Sequence, residues 1–206
     1  MQNLIKVFNE KNKDKFHLIN RTYRNFEEWL LRKGFLLSKP TTKGYWAGSS
    51  LKQVNDVFKV IWEDSYNELH NKPKSRKHKV CRSFCDLGSG DGRIVLTASL
   101  FGIKKAVGIE MDPWLHNVSL HMKDHIGLDE FWKAKFIRND FAKHNIKGYD
   151  YVFIAPDRPF HRGLEDKFRK ELNGKLIVNS RIFQPNGLRL IQNFDFDGNR
   201  FCVYDK

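Results

Sequence analysis

The stretch that most limits what this chain can fold into is residues 84–114, Phe-Cys-Asp-Leu-Gly-Ser-Gly-Asp-Gly-Arg through to Gly-Ile-Glu-Met-Asp-Pro-Trp. It reads as a strand, a glycine loop, a helix and a second strand ending on an acid: one βαβ unit whose first turn lets a ligand reach the backbone. Gly88, Gly90 and Gly92 alternate in a turn too tight for side chains, because only glycine takes positive φ without penalty. Their spacing is G-x-G-x-G. A dinucleotide fingerprint needs G-x-G-x-x-G, and Arg93 stands where its last glycine belongs. Nicotinamide and flavin dinucleotides therefore lose ground.

The carboxylates narrow the ligand further. Asp86 ends the first strand and Asp91 lies inside the loop, so a pyrophosphate placed there meets two negative charges at close range. A cationic, phosphate-free ligand suits the loop better, and S-adenosylmethionine, with its sulfonium and ammonium, is such a ligand. Glu110, at the carboxyl end of the second strand, can accept hydrogen bonds from ribose hydroxyls. A helix over about 93–100 would offer free N–H groups at its amino end to a carboxylate.

Asp-Leu-Gly-Ser-Gly-Asp-Gly-Arg-Ile-Val (86–95) followed by Gly-Ile-Glu-Met-Asp-Pro-Trp-Leu (108–115) resembles the class I S-adenosylmethionine-dependent methyltransferases. Within them it is most similar to the small non-SET protein-lysine methyltransferases of archaea and mitochondria, with Pro113-Trp114-Leu115 as a shared feature. The resemblance covers about 46–206 and is strongest in 84–115. It implies an α/β, Rossmann-like fold: a mainly parallel seven-stranded sheet in the order 3-2-1-4-5-7-6, with helices on both faces. It also implies S-adenosylmethionine as cofactor and a lysine-directed activity. In the resembled family an aromatic followed by a hydroxyl residue passes over the cofactor; Trp46 and Ser49 are the nearest counterparts, and Trp46 reads equally as core. The acid after the third strand accepts the adenine amino group while the next residue packs on the ring, roles matched by Asp140 and Phe141. The expected cofactor shell is thus Trp46, Ser49, Asp86, Gly88, Ser89, Gly90, Asp91, Gly92, Glu110, Met111, Asp140 and Phe141.

Charge divides the chain unequally. Of a formal net charge of +13, residues 1–79 hold 17 Lys and Arg against 8 Asp and Glu, and residues 80–206 hold 20 against 16. The basic excess belongs to the amino-terminal part, where it either attracts nucleic acid, acidic protein or anionic lipid or is simply a solvated face. No run approaches the length of a membrane-spanning helix, and residues 1–14 are charged, without the apolar core of a signal peptide. The expectation is an intracellular, non-secreted protein of a reducing compartment. Cys81, Cys85 and Cys202, an odd count, read as buried thiols and not as a disulfide framework.

Residues 1–45 are expected to be a basic helical extension lying over the active-site edge of a domain spanning 46–206. Thr22 or Asn25 would cap a helix running to about Lys33, with Phe26, Trp29 and Leu30 on one face and Gly34 as its stop. The stretch 35–48 reads as a connection. Leu51, Val54, Phe58, Ile61 and Leu69 recur at helical spacing, and the basic run 72–79 reads as a phosphate-contacting or solvated loop. Asp112 as N-cap, Pro113 and Gly127 bracket a helix over 113–126. His116, His121 and His125 on it lack a zincin glutamate or a further ligand, so no metal is assigned. Further strands are expected at 134–138, 150–154 and 175–180, a helix at 160–172, and a closing hairpin of 188–196 and 200–204 turning at Asp197-Gly198.

Ala155, Pro156, Asp157 and Arg158 follow the fourth strand, beside the expected methyl position, and are the candidate acceptor-side residues. Enzymes that methylate planar nitrogens often place Asn-Pro-Pro-Tyr here; Ala155 in the first position argues against a base amino acceptor. A lysine amine needs only deprotonation and a desolvated stem, so no catalytic base is assigned. The expected function is methyl transfer from S-adenosylmethionine to a protein lysine. A nucleic-acid methyltransferase recruited by the basic part, and a cofactor-binding regulator without turnover, are the alternatives.

Overall fold

The computed structural model describes residues 2–41, 44–71, 83–160 and 162–206, and the side chains of these outside 2–11, 62–71 and 162. The basic run 72–79 and Cys81 lie outside the described residues. Elements follow in the order α1 (Gln2–Arg32), β1 (Ser38–Pro40), β2 (Tyr45–Ala47), α2 (Leu51–Asn71), β3 (Ser83–Leu87), α3 (Arg93–Ser99), β4 (Lys105–Glu110), α4 (Pro113–Ile126), β5 (Ala134–Arg138), β6 (Tyr151–Ile154), α5 (Arg162–Glu171), β7 (Lys175–Asn179), β8 (Arg189–Phe196) and β9 (Asn199–Asp205).

Seven strands form one sheet in the order β5-β4-β3-β6-β7-β9-β8, which is the expected 3-2-1-4-5-7-6. β3 to β7 run parallel; β9 inserts antiparallel between β7 and β8. β8 and β9 are joined by a tight turn at Gly198, whose φ of 80° only glycine takes cheaply. Every residue of β3 is buried, as a central parallel strand requires when helices cover both faces. Alternation sends Phe84 toward the layer of α1, α2, α3 and α4, and Cys85 and Leu87 toward α5 and the 146–149 segment. Cys85 and Cys202 are buried free thiols.

Several boundaries agree with the sequence and others move. α4 has the expected ends: the Asp112 side chain accepts from the Trp114 and Leu115 N–H groups, and Gly127 closes it in the left-handed conformation. α1 is the largest departure. Instead of starting at Thr22 or Asn25 it is a 31-residue helix, and the Thr22 hydroxyl donates back to the Leu18 carbonyl at 2.9 Å. It ends as expected at Gly34, where Phe35 N–H reaches Leu30 O and Gly34 N–H reaches Leu31 O, the paired bonds of a Schellman turn. Ile19 and Tyr23 of α1 are buried in the same core as α2, α3 and the sheet. The stretch expected as a plain connection contains the β1–β2 hairpin, with Lys39 opposite Trp46.

Candidate functional site

The glycine loop is shaped by what surrounds it. Gly88, Gly90 and Gly92 all have positive φ, at 77°, 53° and 83°. The N–H groups of Gly88 and Ser89 both donate to Ile109 O (2.9 and 3.0 Å), tying the loop to the end of β4. A side chain is excluded sterically as well. A Cβ at Gly90 would lie 2.8 Å from Trp46 Cδ1, and one at Gly92 would lie 2.7 Å from the Phe136 ring.

Glu110 locks this loop to the start of α4. Its Oε2 accepts from Gly90 N–H at 2.8 Å, and its Oε1 accepts from Met111 N–H (2.8 Å) and Asp112 N–H (2.7 Å). A carboxylate has about four acceptor sites, so roughly one remains, on Oε2. Asp86 is 2% exposed. Burial, then the charges of Glu110 and Asp91, push its pKa well above the ordinary carboxylate value.

Asp91 departs from the expectation of a ligand-facing acid. Its carboxylate turns onto Arg93: Nε lies 3.1 and 3.0 Å from its two oxygens, and Nη2 lies 2.6 Å from Oδ2. Arg93 Nη1 also pairs with Glu27 of α1 at 2.7 Å and donates to Ser49 O at 3.3 Å. Burial works against the guanidinium charge, yet Asp91 and then Glu27 raise its pKa further above the usual arginine value. Glu27 is far away in sequence, so neither composition nor spacing could have revealed this partner.

A cleft of about 660 Å³ opens at the carboxyl ends of β3, β4, β5 and β6, the ligand-binding edge of an open parallel sheet. Of the residues expected from sequence, it is lined by Trp46, Gly88, Gly90, Glu110, Met111, Asp140, Phe141, Ala155, Pro156, Asp157 and Arg158. Ser49, Asp86, Ser89, Asp91 and Gly92 stand outside the lining. Asp86, Ser89, Asp91 and Gly92 are buried behind the loop. Ser89 is packed toward Gly108, where a Cβ would come 2.6 Å from its Oγ. Trp46, which the sequence leaves between core and ligand wall, is both: it packs with Leu30 and Leu115 and lines the cleft.

Sequence reasoning missed the contribution of the hairpin, where Thr41, Gly44 and Tyr45 line the cleft, and of Asp112, Leu115, Ile154, Pro159 and Leu164. Proximity to Glu110 could have signalled Asp112 and Leu115. The hairpin meets the β6–α5 loop at Asp157, whose Oδ2 would lie 2.8 Å from a Cβ at Gly44. Arg158 holds Asp157 with bonds of 3.0 and 3.2 Å. Burial opposes ionisation of Asp157, but Arg158 and the Tyr45 backbone keep its pKa below the usual value.

The described lining of this cleft carries a charge opposite to that of the chain. Among its described lining residues are the acids Glu110, Asp112, Asp140 and Asp157, against the single cation Arg158, in a chain with a net charge of +13. His121 and His125 are exposed on α4 and stack on each other at 5.8 Å, away from this lining.

Residues 86–190, just over half of the chain, match the ANTKMT methyltransferase domain. Among curated relatives, the adenine nucleotide translocase lysine N-methyltransferase of Mus musculus is 31% identical over 170 residues, 76% of this chain and 61% of that protein. A protein-lysine N-methyltransferase of Saccharolobus islandicus is 31% identical over 103 residues, 50% of this chain and 63% of that protein. The chain therefore spans about three fifths of the length of these two relatives. Magnesium protoporphyrin IX methyltransferase from Synechocystis PCC 6803, solved with bound S-adenosylmethionine, superposes with a TM-score of 0.54 at 12% identity, over 77% of this chain and 86% of that one, a likeness of fold. With its seven-stranded sheet and glycine loop placed as described, the chain belongs to the ANTKMT methyltransferase domain family.

Proposed function

We propose that this protein is an S-adenosylmethionine-dependent methyltransferase that modifies the side-chain amine of a protein lysine. The observation that carries the proposal is the acidic cleft in a basic chain, set against a loop with no side chains in the way. An anionic ligand such as a nucleotide phosphate would be repelled by Glu110, Asp112 and Asp140. A cationic one is attracted. The names of the Mus musculus and Saccharolobus islandicus relatives, both lysine N-methyltransferases, support the same acceptor.

The residues present fit the cofactor. The remaining acceptor site of Glu110 suits a ribose hydroxyl, Asp140 suits the adenine amino group, and Phe141 and Met111 offer apolar contact to the ring. Gly88, whose Cβ would stand 3.9 Å from the Phe141 ring, leaves room for backbone contact with the ligand. Asp86 stands buried beneath the loop, where an ammonium bound nearby would favour its ionised form. When bound, S-adenosylmethionine supplies an electrophilic methyl group on sulfur.

The chain's own task is to bring an amine into line with that methyl and keep water out. Ile154, Pro156 and Leu164 desolvate the stem of an incoming lysine, lowering the pKa of its amine so that the proton leaves to water. Carbonyl groups of the 155–156 backbone can orient the neutral amine without a dedicated base. The proposal is tested by incubating the protein with methyl-labelled S-adenosylmethionine and a cell extract, then digesting separately with protease and ribonuclease. Label recovered as methyllysine by mass spectrometry is expected; label that survives protease and vanishes with ribonuclease would overturn the lysine acceptor.

A further inference from the structure

The amino-terminal helix reaches the glycine loop by two routes. In the first, the Tyr23 hydroxyl, on a side chain 1% exposed, donates to the Asp91 carbonyl at 2.9 Å, and the Arg93 guanidinium lies over the Tyr23 ring at 4.8 Å. Glu27, one helical turn further on, pairs with the same guanidinium at 2.7 Å. Arg93 therefore joins α1, the Asp91 carboxylate of the loop, the segment before α2 through Ser49 O, and the first turn of α3. Gly48 makes room for this junction, since a Cβ there would stand 2.5 Å from Arg93 Nη1. In the second route, Leu30 packs on Trp46, whose ring in turn abuts Gly90.

We propose that Tyr23 and Glu27 are positioning residues for the cofactor: Tyr23 through its bond to the Asp91 carbonyl and Glu27 through Arg93 hold the glycine loop in its ligand-binding shape, so that α1 is a working part of the pocket. This rests on the cofactor assignment above. A backbone loop of three positive-φ glycines has many accessible conformations, and a ligand bound through it pays to order them. The Arg93 junction restricts those conformations before the ligand arrives. A buried guanidinium shared by two carboxylates is directional, because the planar fork satisfies both only in one orientation. None of the four residues Tyr23, Glu27, Asp91 and Arg93 lines the cleft, so their effect on a ligand must pass through the loop.

The test uses the full chain and two variants, Tyr23→Phe, which deletes only the hydroxyl, and Glu27→Ala, with Glu27→Gln as the conservative partner. Binding of S-adenosylhomocysteine is measured by calorimetry, steady-state methyl transfer is measured in both substrates, and thermal unfolding checks the fold. Each of the first two variants is expected to weaken S-adenosylhomocysteine at least five-fold and raise the KM for S-adenosylmethionine in step. kcat at saturating cofactor and the KM for the acceptor should stay unchanged, and Glu27→Gln should recover part of the loss. Folded variants that bind S-adenosylhomocysteine as tightly as the parent would overturn the proposal, as would a loss confined to kcat or acceptor KM. A parent protein that binds no S-adenosylhomocysteine would instead overturn the cofactor assignment on which it rests.

Discussion

Among individual residues, Asp86 and Glu110 show how one charge type serves two ends. Asp86 has a folded-state pKa raised first by burial and then by Glu110 and Asp91. Its sign of linkage is the reverse of a salt-bridged carboxylate. The folded state holds the proton to higher pH than the unfolded chain, so stability is lost as pH rises from the ordinary carboxylate value toward the raised one. Asp86→Asn removes that dependence. The variant's melting temperature relative to the parent should therefore climb between pH 4 and pH 8, while parallel curves would mean the carboxylate is not penalised. Glu110, by contrast, accepts three backbone N–H bonds at 2.7 to 2.8 Å. Glu110→Ala leaves these donors unpaired at the join of loop and helix and should cost roughly 2–4 kcal/mol in urea unfolding, together with most of the cofactor affinity. Unchanged binding in that variant would place the ribose elsewhere.

Secondary-structure elements were legible wherever a local signal named both ends. Asp112, Pro113 and Gly127 bracket α4, and the strand expected over 134–138 coincides with β5 at both boundaries. The hairpin at the carboxyl end could be read from Asp197-Gly198 alone. The sequence shortens α1 by about twenty residues because 2–21 is dense in Lys and Asn, which masks the helical spacing of Phe16, Ile19 and Tyr23 toward the core. The β1–β2 hairpin escaped because three-residue strands give too little alternation to register. The glycine loop offers a paired test of why its residues are glycine. Gly102 and Gly92 both have positive φ, but a Cβ at Gly102 meets nothing within 4 Å, whereas one at Gly92 meets the Phe136 ring and Ser119. Gly102→Ala should cost about 1–2 kcal/mol from backbone strain alone, and Gly92→Ala about 1–3 kcal/mol more from overpacking. Equal losses would show that the loop is not confined by β5 and α4.

The whole molecule combines a basic amino-terminal part with an acidic cleft at the strand ends, and the sequence conveyed the basic part and the acids of the loop but not which acids face the cleft. Net charge is additive along a chain and can be counted. The cleft's charge depends on which acids share a wall and which are neutralised behind it: Asp140 and Asp112 line it, and Asp91 is turned away onto Arg93. The junction at Arg93 and the burial of Ile19 and Tyr23 also join the extension over 1–45 to the sheet domain. Calorimetric unfolding should accordingly show a single transition with equal calorimetric and van't Hoff enthalpies, and an early separate transition of the helix would contradict that union. The most direct measurement is isothermal titration of one protein sample with S-adenosylmethionine and, separately, with NAD. Saturable one-to-one binding of the sulfonium ligand and no heat from the pyrophosphate ligand is the predicted result; NAD binding with S-adenosylmethionine silent would contradict the account.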